Sequence, residues 1–542
     1  MHDGRSVAAA AGRWRAAFLA VFVTGLALKL IVAAHLPPFV DEAFYWMESR
    51  HLAWGYSDLP PLTAWLIRAG EAVTGHGTLG MRWPFIVIGS ALPWLVVSLT
   101  RRLFDARAGW QAGLLCLMLP LAGTLGVLAL PDVPLTVAAM LALHALVRAM
   151  QRDTIGDWCL LGIALALAWL THYRAGMLVL AGLLLFVATP RGRAQWRRGG
   201  FWLAMAIALV GLVPLLVSNW QQHGAGLDFQ LVERNPWAFH AGALVQPLEQ
   251  AAVVTPVLYG VMLWALWRCL RRGREGAPWD VLGIVAGTFL VGYFVFGLFA
   301  DVSRFRVHWP LPGYLPLLVA LPVLWRERPR GRFVRAVMAV AVVLALGLQL
   351  LVFGYLGATA AGGRALGALA GMKAFPVNFT GWRQSAGMTR QLLAKMPDDT
   401  VLVADNFILA AELAFQLDGR RPVYVLDSPL NAKHGRAAQL AVWRRDEKGL
   451  YQAHAGAPVL LVVDEWILRA HQRPEWLGSV CSRVADPTFL RRQDPYHGER
   501  RFAFYAARVP AARLPSMWRD DCVVWRKAYA AQQQWLKRRE AG

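Results

Sequence analysis

The residues best suited to chemistry are carboxylates placed at the ends of apolar runs. Pro37-Pro38-Phe39-Val40-Asp41-Glu42-Ala43-Phe44-Tyr45-Trp46 follows directly on the run 16–36, which is long enough to span a bilayer. Further along, Leu128-Ala129-Leu130-Pro131-Asp132 closes another apolar run. A charge at the mouth of a membrane helix is costly unless it faces water or performs a task. Carboxylates there can take a proton from a hydroxyl or amine, or hold a divalent cation. Asp41 and Asp132, delivered to one membrane face by different helices, are candidate catalytic acids, with Glu42 beside the first. Nothing in their spacing fixes a metal-ligand set, so a divalent cation is an option and no cofactor is required.

Other polar residues recur at the same level. Asp58 lies in Tyr56-Ser57-Asp58-Leu59-Pro60-Pro61-Leu62, where it could bind substrate or cap the helix that follows. Thr171-His172-Tyr173-Arg174 forms a turn between apolar runs. A cation there, facing carboxylates near lipid headgroups, suits a phosphate or else a structural ion pair. Lys29 sits within the first apolar run and could reach a phosphate or merely extend its ammonium toward water. The link 301–310 carries Arg304, Arg306 and His308 ahead of Trp309-Pro310. Acids that accept a proton and cations that hold a phosphate, together at a membrane surface, describe transfer from a lipid-linked phosphate donor.

The elements that must position these groups are mostly membrane helices. The chain has 542 residues, of which 57% are hydrophobic, more than a soluble protein of this size carries. The net charge of +22 reads as topology, not as a nucleic-acid surface. The links 1–15, 101–107, 148–157, 190–198, 268–280 and 326–335 hold 21 Arg against 7 Asp or Glu, which is the positive-inside bias. Apolar runs near 16–36, 84–100, 109–130, 133–150, 158–170, 176–189, 201–218, 250–267, 281–300, 309–325 and 336–357 predict about eleven spans. The N-terminus is then cytoplasmic and the tail extracytoplasmic. No cleavable signal peptide is evident. Residues 1–357 are expected to form the membrane domain, with an outer loop at 37–83 containing an interfacial helix over 62–73. Residues 358–542 are more polar and predict a small α/β domain, with strands at 400–405, 422–426, 458–464 and 502–506 and a helix at 408–417. The first strand–helix turn has no Gly-rich phosphate fingerprint, so a nucleotide site is unsupported. Cys481 and Cys522 lie in this tail, where an extracytoplasmic location permits a disulfide.

Asp41-Glu42-Ala43-Phe44-Tyr45-Trp46, followed by Leu52-Ala53-Trp54-Gly55-Tyr56-Ser57-Asp58-Leu59-Pro60-Pro61-Leu62, resembles the first outer loop of bacterial family 39 glycosyltransferases. These are GT-C enzymes that include protein O-mannosyltransferase-like members, the aminoarabinose transferases of lipid A and the lipopolysaccharide galacturonosyltransferases. Leu130-Pro131-Asp132-Val133-Pro134, Thr171-His172-Tyr173-Arg174, His308-Trp309-Pro310, Leu409-Ala410-Ala411-Glu412-Leu413-Ala414-Phe415 and Arg421-Pro422-Val423-Tyr424 extend the likeness. The resemblance implies a GT-C fold in a bacterial inner membrane and a polyprenyl-phosphate-linked sugar donor. It implies a lipid, glycan or protein acceptor at the periplasmic face, and inversion at the sugar. Asp41 matches the first-loop base, Asp132 the second acid, and Asp58 the acid before Pro-Pro. Leu59 stands where relatives commonly carry His or Lys, and Arg174 is displaced by one from the usual cation of its turn. A transporter or flippase of lipid-linked sugar, or a non-catalytic relative that binds one, are the alternative readings.

Overall fold

The computed structural model describes residues 2–222, 224–233, 237–300, 307–328, 331–466, 479–496, 498–514 and 534. The chain divides into two compact units, one formed by Met1–His35 with Leu52–Gly357 and the other by Leu36–His51 with Ala358–Gly542.

The first unit is helical. Among the described residues six helices are long and apolar enough to cross a membrane: Ala11–His35, Thr78–Leu103, Asp132–Arg152, Gly199–Gln221, Trp279–Gly297 and Arg332–Ala361. A seventh crossing arises if Ala241–Val254 and Pro256–Glu275, bent by 112° at the break between them, count as one. The expectation of eleven full spans is corrected accordingly. The run at 109–130 is interrupted at Pro120 into Ala106–Met118 and the short Pro120–Gly123. There the proline removes a backbone donor and stops the first helix. The runs near 158–170, 176–189 and 309–325 form Ile155–Thr171, Ala175–Ala188 and Leu311–Arg326, each shorter than a full crossing. The helix expected over 62–73 is Leu62–Thr74. Its thirteen residues rise about 20 Å, too little to traverse the hydrocarbon layer.

The second unit is a layered α/β domain. Its sheet comprises β1 (Val401–Ala404), β2 (Val423–Val425), β3 (Pro458–Asp464), β4 (Ala485–Gln493) and β5 (Phe502–Arg508). The order is β2-β1-β3-β5-β4. β1 runs parallel to β2 and β3, and β5 runs antiparallel to β3 and β4. Val403, Leu461, Val463, Ala503 and Tyr505 fill one side of this sheet with Val480, Cys481 and Val484. The helix Phe407–Gln416 follows β1 and is capped by Asn406, whose side chain accepts from the Leu409 amide. Its apolar residues 407–411 are buried.

Leu36–His51 groups with this second unit although it follows the first helix directly. The helix Val40–Arg50 packs its aromatic face onto Phe407–Gln416. Phe44 meets Phe407 edge-on at a centroid distance of 5.5 Å, and Trp46 meets Phe415 at 5.3 Å. The first stretch of the expected outer loop thus joins the tail domain, because burying these rings outweighs chain proximity.

Candidate functional site

Each unit carries its own cluster of charged groups. In the first unit, Asp132 begins the helix Asp132–Arg152 after Pro131. A carboxylate there is favoured by the positive end of the helix dipole. The Arg174 guanidinium, held at the turn before Ala175–Ala188, donates from Nη2 to Asp132 Oδ1 at 2.7 Å. His308 Nε2 lies 3.2 Å from the same oxygen. Trp309 stacks below the guanidinium at 5.3 Å and contacts Tyr293 at 5.9 Å. The turn itself is fixed by His172, whose Nδ1 accepts from the Arg174 amide at 3.0 Å. A pocket lined by Asp132, Arg174, Tyr293, His308 and Trp309 results. Arg174 is only 11% exposed along its side chain, and its Nε has no hydrogen-bond partner among the described residues. The guanidinium therefore retains donor capacity toward a further anion.

Tyr173 points elsewhere, into a small polar network. Its hydroxyl accepts from Asn219 Nδ2 at 3.2 Å, and Asn219 Oδ1 accepts from the Leu227 amide. Burial, reinforced by the nearby Asp58 carboxylate and partly offset by Asn219, pushes the Tyr173 phenol up to about 12. Asp58 is buried, and its carbonyl accepts from Gln230 Nε2 at 2.8 Å. The helix that follows starts after Pro61, which itself provides no side-chain cap bond.

In the second unit, Asp41 and Glu48 lie seven residues apart on Val40–Arg50, two turns along one face. Arg436 joins them, with Nη2 3.6 Å from Asp41 Oδ1 and Nη1 3.2 Å from Glu48 Oε1. Its guanidinium lies 4.1 Å from the centre of the Phe44 ring. The Arg436 and Glu48 side chains are almost fully buried, whereas that of Asp41 is 32% exposed. Glu42 is fully buried and accepts from the Phe39 amide at 2.9 Å. That is the reach-back half of a capping box. The carboxylate thus helps to hold the start of its own helix.

Lys29 does not join Asp132 and Arg174. Its Nζ donates to the Leu125 carbonyl at 2.8 Å, in a separate cavity. Arg304 and Arg306 lie outside the described residues. So does Cys522. Cys481 is buried and disulfide-bonded, whereas Cys116, Cys159 and Cys269 are free. Among the described residues no three His, Cys, Asp or Glu side chains come together as a metal cage. Asp132 and His308 supply two donors, and Arg174 already takes the carboxylate, so this pair does not fit a divalent cation. Sequence reasoning missed Arg436 and Asn219. The spacing of Asp41 and Glu48 was the one available sign that a cation should lie between them.

These helices and the appended α/β unit define a multi-pass membrane protein of the GT-C fold. Residues 58–218 match the family described as dolichyl-phosphate-mannose-protein mannosyltransferase. The chain is 29% identical over 301 residues to the lipid A galacturonosyltransferase RgtD of Rhizobium johnstonii, covering 54% of this chain and 62% of that protein. It is 26% identical over 336 residues to the undecaprenyl phosphate-alpha-4-amino-4-deoxy-L-arabinose arabinosyl transferase 1 of Pseudomonas fluorescens, covering 56% of each. The matched regions thus span somewhat over half the length of these curated relatives. Among solved structures, ArnT from Cupriavidus metallidurans bound to undecaprenyl phosphate superposes with a TM-score of 0.65 at 18% identity, over 91% of this chain and 98% of that one.

Proposed function

We propose that this protein is an inverting glycosyltransferase of the bacterial inner membrane, moving a sugar from a polyprenyl-phosphate donor to an acceptor lipid at the periplasmic face. Lipid A is the first acceptor to test. The observation that carries this reading is Arg174. It is a nearly buried guanidinium beside Asp132 and His308, with a buried Nε still unpartnered among the described residues, inside the stretch that matches the mannosyltransferase family. A phosphate, which carries one charge in the donor diester and gains a second as it leaves, is a fitting partner for that spare donor.

In this reading the acceptor oxygen attacks the anomeric carbon as the bond from that carbon to the phosphate oxygen breaks. The electron pair leaves with the polyprenyl phosphate, and Arg174 and His308 stabilise the charge it gains. Asp132 orients Arg174 through their ion pair. The acceptor proton goes to a carboxylate base, for which the first-loop motif implies Asp41. The departing phosphate needs no proton, so no general acid is required. The N-terminus is cytoplasmic and the α/β unit periplasmic.

The test is to incubate the purified full-length protein with a radiolabelled polyprenyl-phosphate sugar and lipid A, with product mass as the readout. A gain of one sugar on lipid A supports the reading. Donor binding without any transfer to lipid, glycan or protein acceptors would instead identify a non-catalytic relative.

A further inference from the structure

The cavity around Lys29 has no part in the reaction above, and it is built like a site. It measures about 270 Å³ and is lined by Lys29, Ser90, Cys116, Gln349 and Phe353 among mostly aliphatic neighbours. It shares no lining residue with the Asp132–Arg174 pocket. Lys29 is 4% exposed, and its single hydrogen bond among the described residues goes to the Leu125 carbonyl. An ammonium has three donors, so two remain. Among the described residues no carboxylate lines the cavity to balance the charge. Gln349, which also lines the cavity and is 7% exposed, has a side-chain oxygen with no hydrogen-bond partner among the described residues. Gln349 comes from the helix Arg332–Ala361, and Lys29 from the helix His2–His35. Two different spans therefore bring polar groups with unused hydrogen-bonding capacity to one mostly apolar cavity, where leaving them unsatisfied is costly.

The cavity opens toward the bilayer. Val21, Leu346 and Leu350 border it and are 37%, 40% and 59% exposed. Depth fits a headgroup. The span Ala11–His35 has 25 residues and rises about 37 Å, so it overreaches a hydrocarbon core of about 30 Å by a few Å at each end. Lys29, six residues before His35, then lies about 5 Å inside the core boundary, within range of a phosphate drawn slightly inward.

We infer that this cavity is a binding site for a glycerophospholipid of the surrounding bilayer, with the lipid phosphate on Lys29, a headgroup or glycerol hydroxyl donating to Gln349, and an acyl chain along Leu346, Leu350 and Phe353. Bound there, the lipid supplies the missing counter-charge and ties the first span to the last. Phosphate is the fitting anion because it accepts from two ammonium donors at once. A polyprenyl phosphate donor is disfavoured as the occupant, since nothing in this cavity could act on the sugar it carries.

Native mass spectrometry of the full-length protein, titrated with phosphatidylglycerol in detergent, tests the site. Wild type should retain one tightly bound phosphatidylglycerol. Lys29→Met should bind it about ten-fold more weakly, the loss of one charge-assisted contact. Gln349→Leu, on the other helix, should weaken it several-fold and covers the case in which the lysine variant does not fold. Inorganic phosphate should not displace the lipid, and uncharged diacylglycerol should not occupy the site. Retention of phosphatidylglycerol by Gln349→Leu and Lys29→Met at wild-type affinity would overturn the proposal. So would equal binding of diacylglycerol, or displacement by an equimolar polyprenyl phosphate, which would make the cavity a donor site.

Discussion

Arg174 and Asp41 carry the chemistry proposed for this protein, and they differ in how the fold treats them. Arg174 is pinned from three sides by Asp132, by Trp309 and through its own amide by His172. Arg174→Ala should weaken binding of a polyprenyl-phosphate sugar about ten-fold or more, the loss of a charge-assisted contact worth roughly 1.5–3 kcal/mol. Arg174→Lys should recover part of it, keeping the charge but losing the planar fork. Titration of each variant with donor measures both, and unchanged donor affinity in Arg174→Ala would move the phosphate elsewhere. Asp41→Asn should abolish transfer while leaving the protein folded, because the amide keeps its place beside Arg436 but takes no proton. Glu42→Gln should keep most activity and lower the melting temperature slightly, through its weakened bond to the Phe39 amide. Tyr173 is a different case. Its raised pKa means that the phenol stays neutral below about pH 12. The pH–rate profiles of wild type and Tyr173→Phe should therefore have the same limbs between roughly pH 6 and 9. A basic limb lost in the phenylalanine variant would show that the phenol does titrate there.

At the scale of elements, the helix Val40–Arg50 is the instructive one. It begins a loop expected to belong to the membrane part, yet its rings pack on Phe407–Gln416 and its acids converge on Arg436. Removing Arg436 leaves the Glu48 carboxylate buried without its cation. Arg436→Ala should cost several kcal/mol, about 3–5 by analogy with broken buried pairs. Arg436→Met combined with Glu48→Gln should be milder, since the one carboxylate that then loses this cation, Asp41, is partly exposed. Thermal melting of the full-length protein compares the two, and equal destabilisation would show that ring stacking, not charge, sets the contribution of Arg436. Phe407–Gln416 and four of the strands sit where the sequence patterns predict. β4 was not foreseen. Its sequence Ala-Asp-Pro-Thr-Phe-Leu-Arg-Arg-Gln shows no apolar alternation, because it is an edge strand with most of its residues exposed. Such a strand is defined by pairing with β5 and protected by its charges.

For the whole molecule, sidedness is the property that organises function. The Arg-rich links predict an N-terminus inside, and the proposed reaction needs the α/β unit outside. An alkaline phosphatase fused after Gly542 should be active, and a fluorescent cytoplasmic reporter at the same point should be dark. The reverse pair of results would put the α/β unit in the cytoplasm and remove the proposed periplasmic reaction. Non-reducing peptide mapping of the same preparation should find Cys481 joined to Cys522, a bond that an oxidising compartment sustains.

Composition and patterning alone determined that this is a multi-pass helical membrane protein with an α/β tail. Long apolar runs and Arg-rich links are local signals, and burial in lipid demands them of any sequence. The motif around Asp41 and the pairing of Pro131 with Asp132 also announced themselves locally. The number of full crossings was not decided there. Whether an apolar run is one straight span, a broken pair or a short helix depends on Pro120, on the bend at Thr255–Pro256 and on what packs alongside. Nor could spacing tell that Arg174 lies on Asp132, that Arg436 lies between Asp41 and Glu48, or that Lys29 reaches the Leu125 carbonyl. Each of those pairs joins residues far apart in the chain. Their contacts exist because burying a charge without a partner is costly, and only the folded arrangement of helices supplies the partner.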